Sequence, residues 1–159
     1  MMPSMPLSPK RSKTRTMTSP VSEISQLPKA KVLIVEDELV VAENIARNLS
    51  KQGYTAIDIV DTGEDAISLA RSTCPDIVLM DIMLQGEIDG IDAAATIRRE
   101  LNLPVIYMTA YADDKTLERA KQTEPYGYLV KPFKPYDLRT TIEIALQKHR
   151  SDNAMQARY

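Results

Sequence analysis

The sequence predicts an α/β fold, a doubly wound parallel sheet of five strands with helices on both faces. Three observations carry this. Short apolar, β-prone runs stand at Val32–Val35, Ile57–Val60, Ile77–Met80, Val105–Met108 and Tyr128–Val130. Amphipathic stretches of helical period separate them, and such alternation implies parallel pairing through right-handed crossovers. The runs are continuously apolar rather than alternating, which is the pattern of strands covered on both faces.

The elements follow in order. The first strand ends on Glu36-Asp37-Glu38. A first helix is expected over Leu39–Leu49, where Val41, Ala42, Ile45, Ala46 and Leu49 share one face. After the second strand, Thr62 offers a capping hydroxyl with Asp65 three residues on, and Ala66, Ile67, Leu69 and Ala70 supply a buried face. The third strand runs into Asp81, and a helix over about 89–101, capped by Asp89, comes next. The fourth strand leads to Thr109-Ala110 and a helix over about 113–122. The fifth leads to Lys131-Pro132-Phe133. Pro135 suits a first helical turn and opens a fifth helix through Leu138, Ile142, Ala145 and Leu146. Residues 150–159 are expected to be a flexible polar tail, too short for an effector domain.

At 159 residues the chain has room for one domain with a proper core. A net charge of −2 gives no electrostatic reason to expect nucleic acid as a main partner, and no apolar stretch is long enough to span a bilayer. The one cysteine, Cys74, cannot form an internal disulfide, so a reducing, cytoplasmic location is expected. Residues 1–29 differ in kind. They hold five prolines, many Ser and Thr, and the basic residues Lys10, Arg11, Lys13 and Arg15, a composition read as a disordered tail.

Ligands of parallel α/β sheets bind at the C-terminal strand ends. Glu36-Asp37, Asp81 and Lys131 each stand just past such an end, so their charges converge. Converging carboxylates repel unless a cation lies between them. A divalent-metal site with a lysine beside it points to phosphoryl chemistry. Singly, each has a plain reading: an acidic first turn complementing a helix dipole, a turn-forming aspartate, a solvated lysine. The set is what carries information.

With these motifs in place, residues from about 30 to 149 resemble the receiver domain of two-component response regulators. The matching pieces are Glu36-Asp37-Glu38 after the first strand, Leu79-Met80-Asp81 after the third, Thr109-Ala110 after the fourth and Lys131-Pro132-Phe133 after the fifth. The resemblance implies a flavodoxin-like fold with strand order 2-1-3-4-5. It implies that Asp81 accepts a phosphoryl group with Mg²⁺, for which Mn²⁺ can substitute. Asp37, Asp81 and the backbone carbonyl of Met83 would bind the metal directly, and Glu36 through a water. Lys131 would pair with Asp81 and then contact the phosphoryl group. Thr109 would hydrogen-bond that group, with Ala110 leaving room, and Tyr128 would turn inward as Thr109 shifts. The Lys131–Pro132 bond would be cis. A histidine kinase or phosphotransfer protein would donate the phosphoryl group. Output would be binding to a downstream protein or to a second copy, a possible homodimer, through the face of the fourth helix, fifth strand and fifth helix.

The chain departs from the family's commonest pattern after Asp81. Gln85-Gly86-Glu87-Ile88-Asp89-Gly90 replaces a segment that usually carries a proline, and is one residue longer. This is a variant of receivers attached to sensory kinases, and a differently shaped loop is expected. Met83 and Tyr111 occupy positions that tune phosphoryl lifetime, and the Met83 thioether cannot orient an attacking water, which favours slow autodephosphorylation. His149, the only histidine, lies outside the cluster. Two rivals remain: a constitutive receiver-like binding module, and an aspartyl-nucleophile phosphatase of the haloacid-dehalogenase type. The phosphatase normally has a second Asp where Met83 stands. Dinucleotide binding lacks a Gly-rich turn after the first strand.

Overall fold

The computed structural model describes residues 30–110 and 112–158; the N-terminal residues 1–29, Tyr111 and Tyr159 lie outside the described residues. Five strands, β1 (Lys31–Val35), β2 (Thr55–Val60), β3 (Ile77–Asp81), β4 (Val105–Thr109) and β5 (Gly127–Val130), alternate with five helices. These are α1 (Leu39–Lys51), α2 (Gly63–Thr73), α3 (Gly90–Leu101), α4 (Asp114–Gln122) and α5 (Pro135–Arg158). The strands form one parallel sheet in the order β2-β1-β3-β4-β5. The order reverses between β1 and β3, so a crevice opens where the connections from those two strands diverge to opposite faces.

Strand alternation sorts the core into two layers. Val32 and Ile34 of β1 face the layer with Ala42, Ile45 and Leu49 of α1 and Leu138, Ile142 and Ala145 of α5. Leu33 and Val35 face the other, with Ala66 and Ala70 of α2, Ile91, Ala94 and Ile97 of α3, and Ala120 of α4. The three central strands are fully buried along their apolar residues, as continuous hydrophobic runs require.

Caps set the helix starts. The Thr62 hydroxyl accepts from the Asp65 N–H at 3.1 Å, and Asp89 and Asp92 form a reciprocal capping box at the start of α3. Asp113 accepts from the Thr116 N–H at 2.7 Å. At α1 the acidic-turn reading does not apply: Glu38 is the N-cap, its side chain makes no capping bond, and the first turn holds no acid. Cys74 is exposed and ends α2 in the left-handed conformation.

Most element ends lie within two residues of expectation, and two differences have a physical reason. Strand β2 starts at Thr55, because Thr55 and Ala56 pair with β1 through the backbone although one is polar and the other small, outside an apolar run. More consequentially, residues 150–158 are not a flexible tail but the end of α5, which runs to Arg158. Tertiary contacts hold the added turns: the Tyr126 hydroxyl donates to Asp152 at 2.6 Å, and the Asn102 amide donates to Asn153 at 3.0 Å. Among the described residues no helix is long and apolar enough to cross a membrane.

Candidate functional site

Strand register brings the site together. Val35 pairs with Met80, Asp81 with Met108, and Thr109 with Val130, so Glu36, Asp81, Thr109 and Lys131 stand side by side at the C-terminal edge. Backbone pairing runs on past the strands and fixes them there. The Glu36 N–H donates to Val60 at 2.9 Å, the Ile82 N–H to Met108 at 3.1 Å and the Lys131 N–H to Thr109 at 2.8 Å. Glu36, Asp81 and Thr109 are the buried polar residues of the described chain, at 1%, 5% and 7% exposure.

Lys131 is the hub. Its Nζ donates to Asp81 Oδ2 at 3.1 Å and also to Glu36 Oε1. The remaining oxygens are engaged locally, Asp81 Oδ1 by the Met83 N–H at 3.0 Å and Glu36 Oε2 by the Glu38 N–H at 3.2 Å. The Lys131–Glu36 bond is absent from the sequence reading, which paired Lys131 with Asp81 alone. Nothing in the sequence signals that the ends of β1 and β5, with two strands between them in the sheet, come close enough for one lysine to reach both carboxylates.

Carboxylate oxygens of Glu36, Asp37 and Asp81 lie within 4.8 Å of one another. Burial raises the pKa of Glu36, and proximity to Asp81 adds to this against the opposing pull of Lys131. Burial also raises that of Asp37, assisted by Glu36. For Lys131, burial alone would lower the pKa, but its bonds and charges with Glu36 and Asp81 outweigh that and hold the ammonium above its usual value. Lys131 is hydrogen-bonded to two of the three carboxylates, Glu36 and Asp81. The donor set is all hard oxygen, which fits a small divalent cation such as Mg²⁺.

Thr109 Oγ1 is buried with no hydrogen-bond partner. A buried hydroxyl in that state costs about 1–3 kcal/mol. Tyr128 is 40% exposed, with its ring 6.0 Å from that of buried Tyr107. The Tyr107 hydroxyl is tied to Thr123 at 2.6 Å, and burial pushes its pKa up to about 12. The Lys131–Pro132 bond is cis. Exposed Ala110 and half-buried Lys131 open onto a cleft of about 530 Å³ lined also by Val40, Ile45, Pro132 and Phe133. The Met83 side chain is 64% exposed beside its hydrogen-bonded N–H. His149 lies elsewhere, its Nε2 2.7 Å from the Asn102 carbonyl oxygen.

Gly90 is a site residue the sequence reading missed as such. An added Cβ there would sit 1.9 Å from the carbonyl oxygen of Asp81. Its position directly after the capping Asp89 was the only available signal.

Comparison with known proteins gives three findings. The sequence pattern of the response regulator receiver domain matches residues 32–143. The transcriptional regulatory protein PdtaR of Mycobacterium tuberculosis is 34% identical over 140 residues, which span 88% of this chain and 68% of that protein. Among solved structures, the signal receiver domain of a modulated diguanylate cyclase from Desulfovibrio desulfuricans G20 is 40% identical, with a TM-score of 0.75 over 77% of this chain and 98% of that one. The N-terminal domain of a response regulator/sensory box/GGDEF protein from Carboxydothermus hydrogenoformans is 36% identical, with a TM-score of 0.71 over the same shares.

Proposed function

The chain belongs to the response regulator receiver domain family, and from that premise we propose that Asp81 is the residue phosphorylated when the switch operates. The observation that carries this reading is the buried Asp81 carboxylate held between Lys131 and the Met83 N–H, next to the unpartnered Thr109 hydroxyl. A histidine kinase or phosphotransfer protein is the donor. An Asp81 oxygen forms the new P–O bond as the donor's bond to phosphorus breaks and its electron pair leaves with the donor. Asp37, Asp81 and the Met83 carbonyl would hold Mg²⁺, or Mn²⁺ in its place, with Glu36 acting through a water. When bound, the metal supplies charge neutralisation to the transferring group. Lys131, already at Asp81, stays to contact a phosphoryl oxygen as a point charge. Ala110, with the smallest side chain available beside Thr109, leaves that approach open.

Output follows from two-state bias. The Thr109 hydroxyl gains a partner in the phosphoryl group, and Tyr128, resting outward, turns in behind it. The face of α4, β5 and α5 then changes for a downstream protein or a second copy. Val130 and Ile144 are strongly exposed on it, at 66% and 60%. Direct nucleic-acid contact forms no part of this reading. The constitutive-module and phosphatase rivals are separated from it by one experiment. Incubation with acetyl phosphate and Mg²⁺, followed by intact mass, should add one phosphoryl group that is not gained when Mg²⁺ is chelated. Steady donor turnover with no adduct would favour a phosphatase, and no adduct with the donor intact would favour the constitutive module.

Two expectations arise here. Mg²⁺ at one hundred times its Kd should stabilise the fold by about 2.7 kcal/mol, read as a higher melting temperature that EDTA reverses. Thr109→Val removes an unsatisfied buried hydroxyl at constant shape. It should raise stability by about 1 kcal/mol in denaturant melts while weakening the phosphorylation-dependent change in Tyr128 fluorescence or chemical shift. A loss of stability would instead place a hydrogen bond on Thr109.

A further inference from the structure

Three consecutive residues, Thr62, Gly63 and Glu64, at the start of α2 hold the loop after Asp81. Thr62 forms an isolated parallel bridge with Gln85. Gly63 leaves the space that the Ile88 side chain fills: a Cβ there would lie 2.8 Å from Ile88 Cγ1. The Glu64 carboxylate accepts the Ile88 N–H at 3.1 Å through Oε1. Its other oxygen lies alongside Gly86, which adopts a left-handed φ of 117° and whose added Cβ would stand 3.2 Å from Glu64 Oε2. At its far end the loop is closed by Asp89, which caps α3 and receives Arg119 of α4 at 2.9 Å.

Gln85, Gly86 and Glu87 are exposed, and Ile88 is half-buried, packed against the core layer of Leu33 and Val35. Contacts from the start of α2 fix where they run: the Thr62–Gln85 bridge, the Glu64 bond to the Ile88 N–H and the packing of the Ile88 side chain over Gly63. The near end of this loop is Met83, whose N–H is bonded to Asp81 and whose carbonyl is a ligand in the proposed metal set. We propose that Glu64 is a positioning residue for phosphoryl acceptance at Asp81, acting through its bond to Ile88 to hold the β3–α3 loop in the path that presents Met83 to the metal. The inference rests on the proposed metal-dependent role of Asp81 and adds a residue from a different element, α2, that touches neither metal nor phosphoryl group. Its logic is that of outer-shell support: the ligand is backbone, so its aim depends on what holds the backbone.

The test compares wild type, Glu64→Ala, Glu64→Gln and Gly63→Ala. Mg²⁺ binding is read by calorimetry, loop order by amide exchange over residues 83–88, and adduct formation by intact mass with acetyl phosphate at graded Mg²⁺. Glu64→Ala should weaken Mg²⁺ binding by about tenfold, the low end of outer-shell effects, and speed exchange at Ile88. Its adduct yield should recover at saturating Mg²⁺. Glu64→Gln keeps an oxygen acceptor for the Ile88 N–H and should stay within about twofold of wild type. Gly63→Ala, which displaces Ile88 from the same cradle, should repeat the alanine phenotype by an independent route. Wild-type affinity in Glu64→Ala would overturn the proposal. An equal loss in Glu64→Gln would also overturn it, by assigning the effect to charge. If wild type itself binds no Mg²⁺, the metal reading of the site fails before any variant is compared, and the proposal fails with it.

Discussion

Asp81→Asn should abolish phosphoryl uptake from acetyl phosphate, with the fold intact. The amide has nearly the shape of the carboxylate, and its oxygen can still accept the Met83 N–H, now 3.0 Å from Oδ1. What it lacks is the anionic oxygen that attacks phosphorus and binds a cation, so no weaker version of the reaction remains at that atom. The stability change has two opposed parts. Lys131 loses one of its two carboxylate partners, a bond worth about 1.5–3 kcal/mol where a charged group takes part. Against this, Glu36 loses a neighbour whose hydrogen bond and charge both raise its pKa, so the crowding among the acids eases. The net shift should lie within about 2 kcal/mol of zero, and the Glu36 carboxyl should titrate lower than in wild type. Intact mass with acetyl phosphate, a denaturant melt and an NMR titration of Glu36 check the three parts. An adduct retained in the variant would move the acceptor to another residue and undo the reading of the site.

How much of this was legible in the sequence depends on whether information is local. Runs of apolar residues on β1, β3 and β4, cap residues Thr62, Asp89 and Asp113, and acids or a lysine directly after strands are local patterns. Each was readable because burial on both faces and unpaired helix N–H groups restrict residue type at the position itself. The positions of Glu36, Asp37, Asp81, Thr109 and Lys131 followed from the same strand ends. Contacts between distant segments were not readable. The Lys131–Glu36 bond spans β1 and β5, and Glu64 meets Ile88 only because α2 and the β3–α3 loop converge in space. The last turns of α5 illustrate a third case. Ser151, Asp152 and Asn153 look like tail residues, since short polar side chains favour caps and turns over helix interiors. Asp152 and Asn153 find partners in Tyr126 and Asn102, and the His149 and Tyr126 rings meet edge to face at 5.4 Å. Tertiary docking there overrides local preference.

Gly90→Ala should be the most damaging single-methyl change in the molecule. Its backbone is not left-handed, so conformational freedom is not the reason a glycine stands there. The reason is close approach: a Cβ would meet the Asp81 carbonyl oxygen at 1.9 Å, its carbon at 2.9 Å and Ile82 Cα at 3.1 Å. All three are backbone atoms, so no side chain can swing aside. One way out is for the start of α3 to retreat, which breaks the Gly90 N–H bond to Ile82 at 3.2 Å and disturbs the Asp89–Asp92 capping box. The other is for the end of β3 to move, which carries Asp81 away from Lys131. Core overpacking against movable side chains already costs about 1–3 kcal/mol. With backbone on both sides the loss should exceed about 3 kcal/mol, a large part of the roughly 5–15 kcal/mol that holds a domain together. The second route predicts something the first does not: protein that still folds at low temperature should take up phosphoryl groups poorly. Denaturant midpoints and acetyl phosphate labelling of the same samples separate the two. A loss under about 1 kcal/mol with labelling intact would mean that α3 does not press on Asp81, and that the acceptor is positioned by its strand alone.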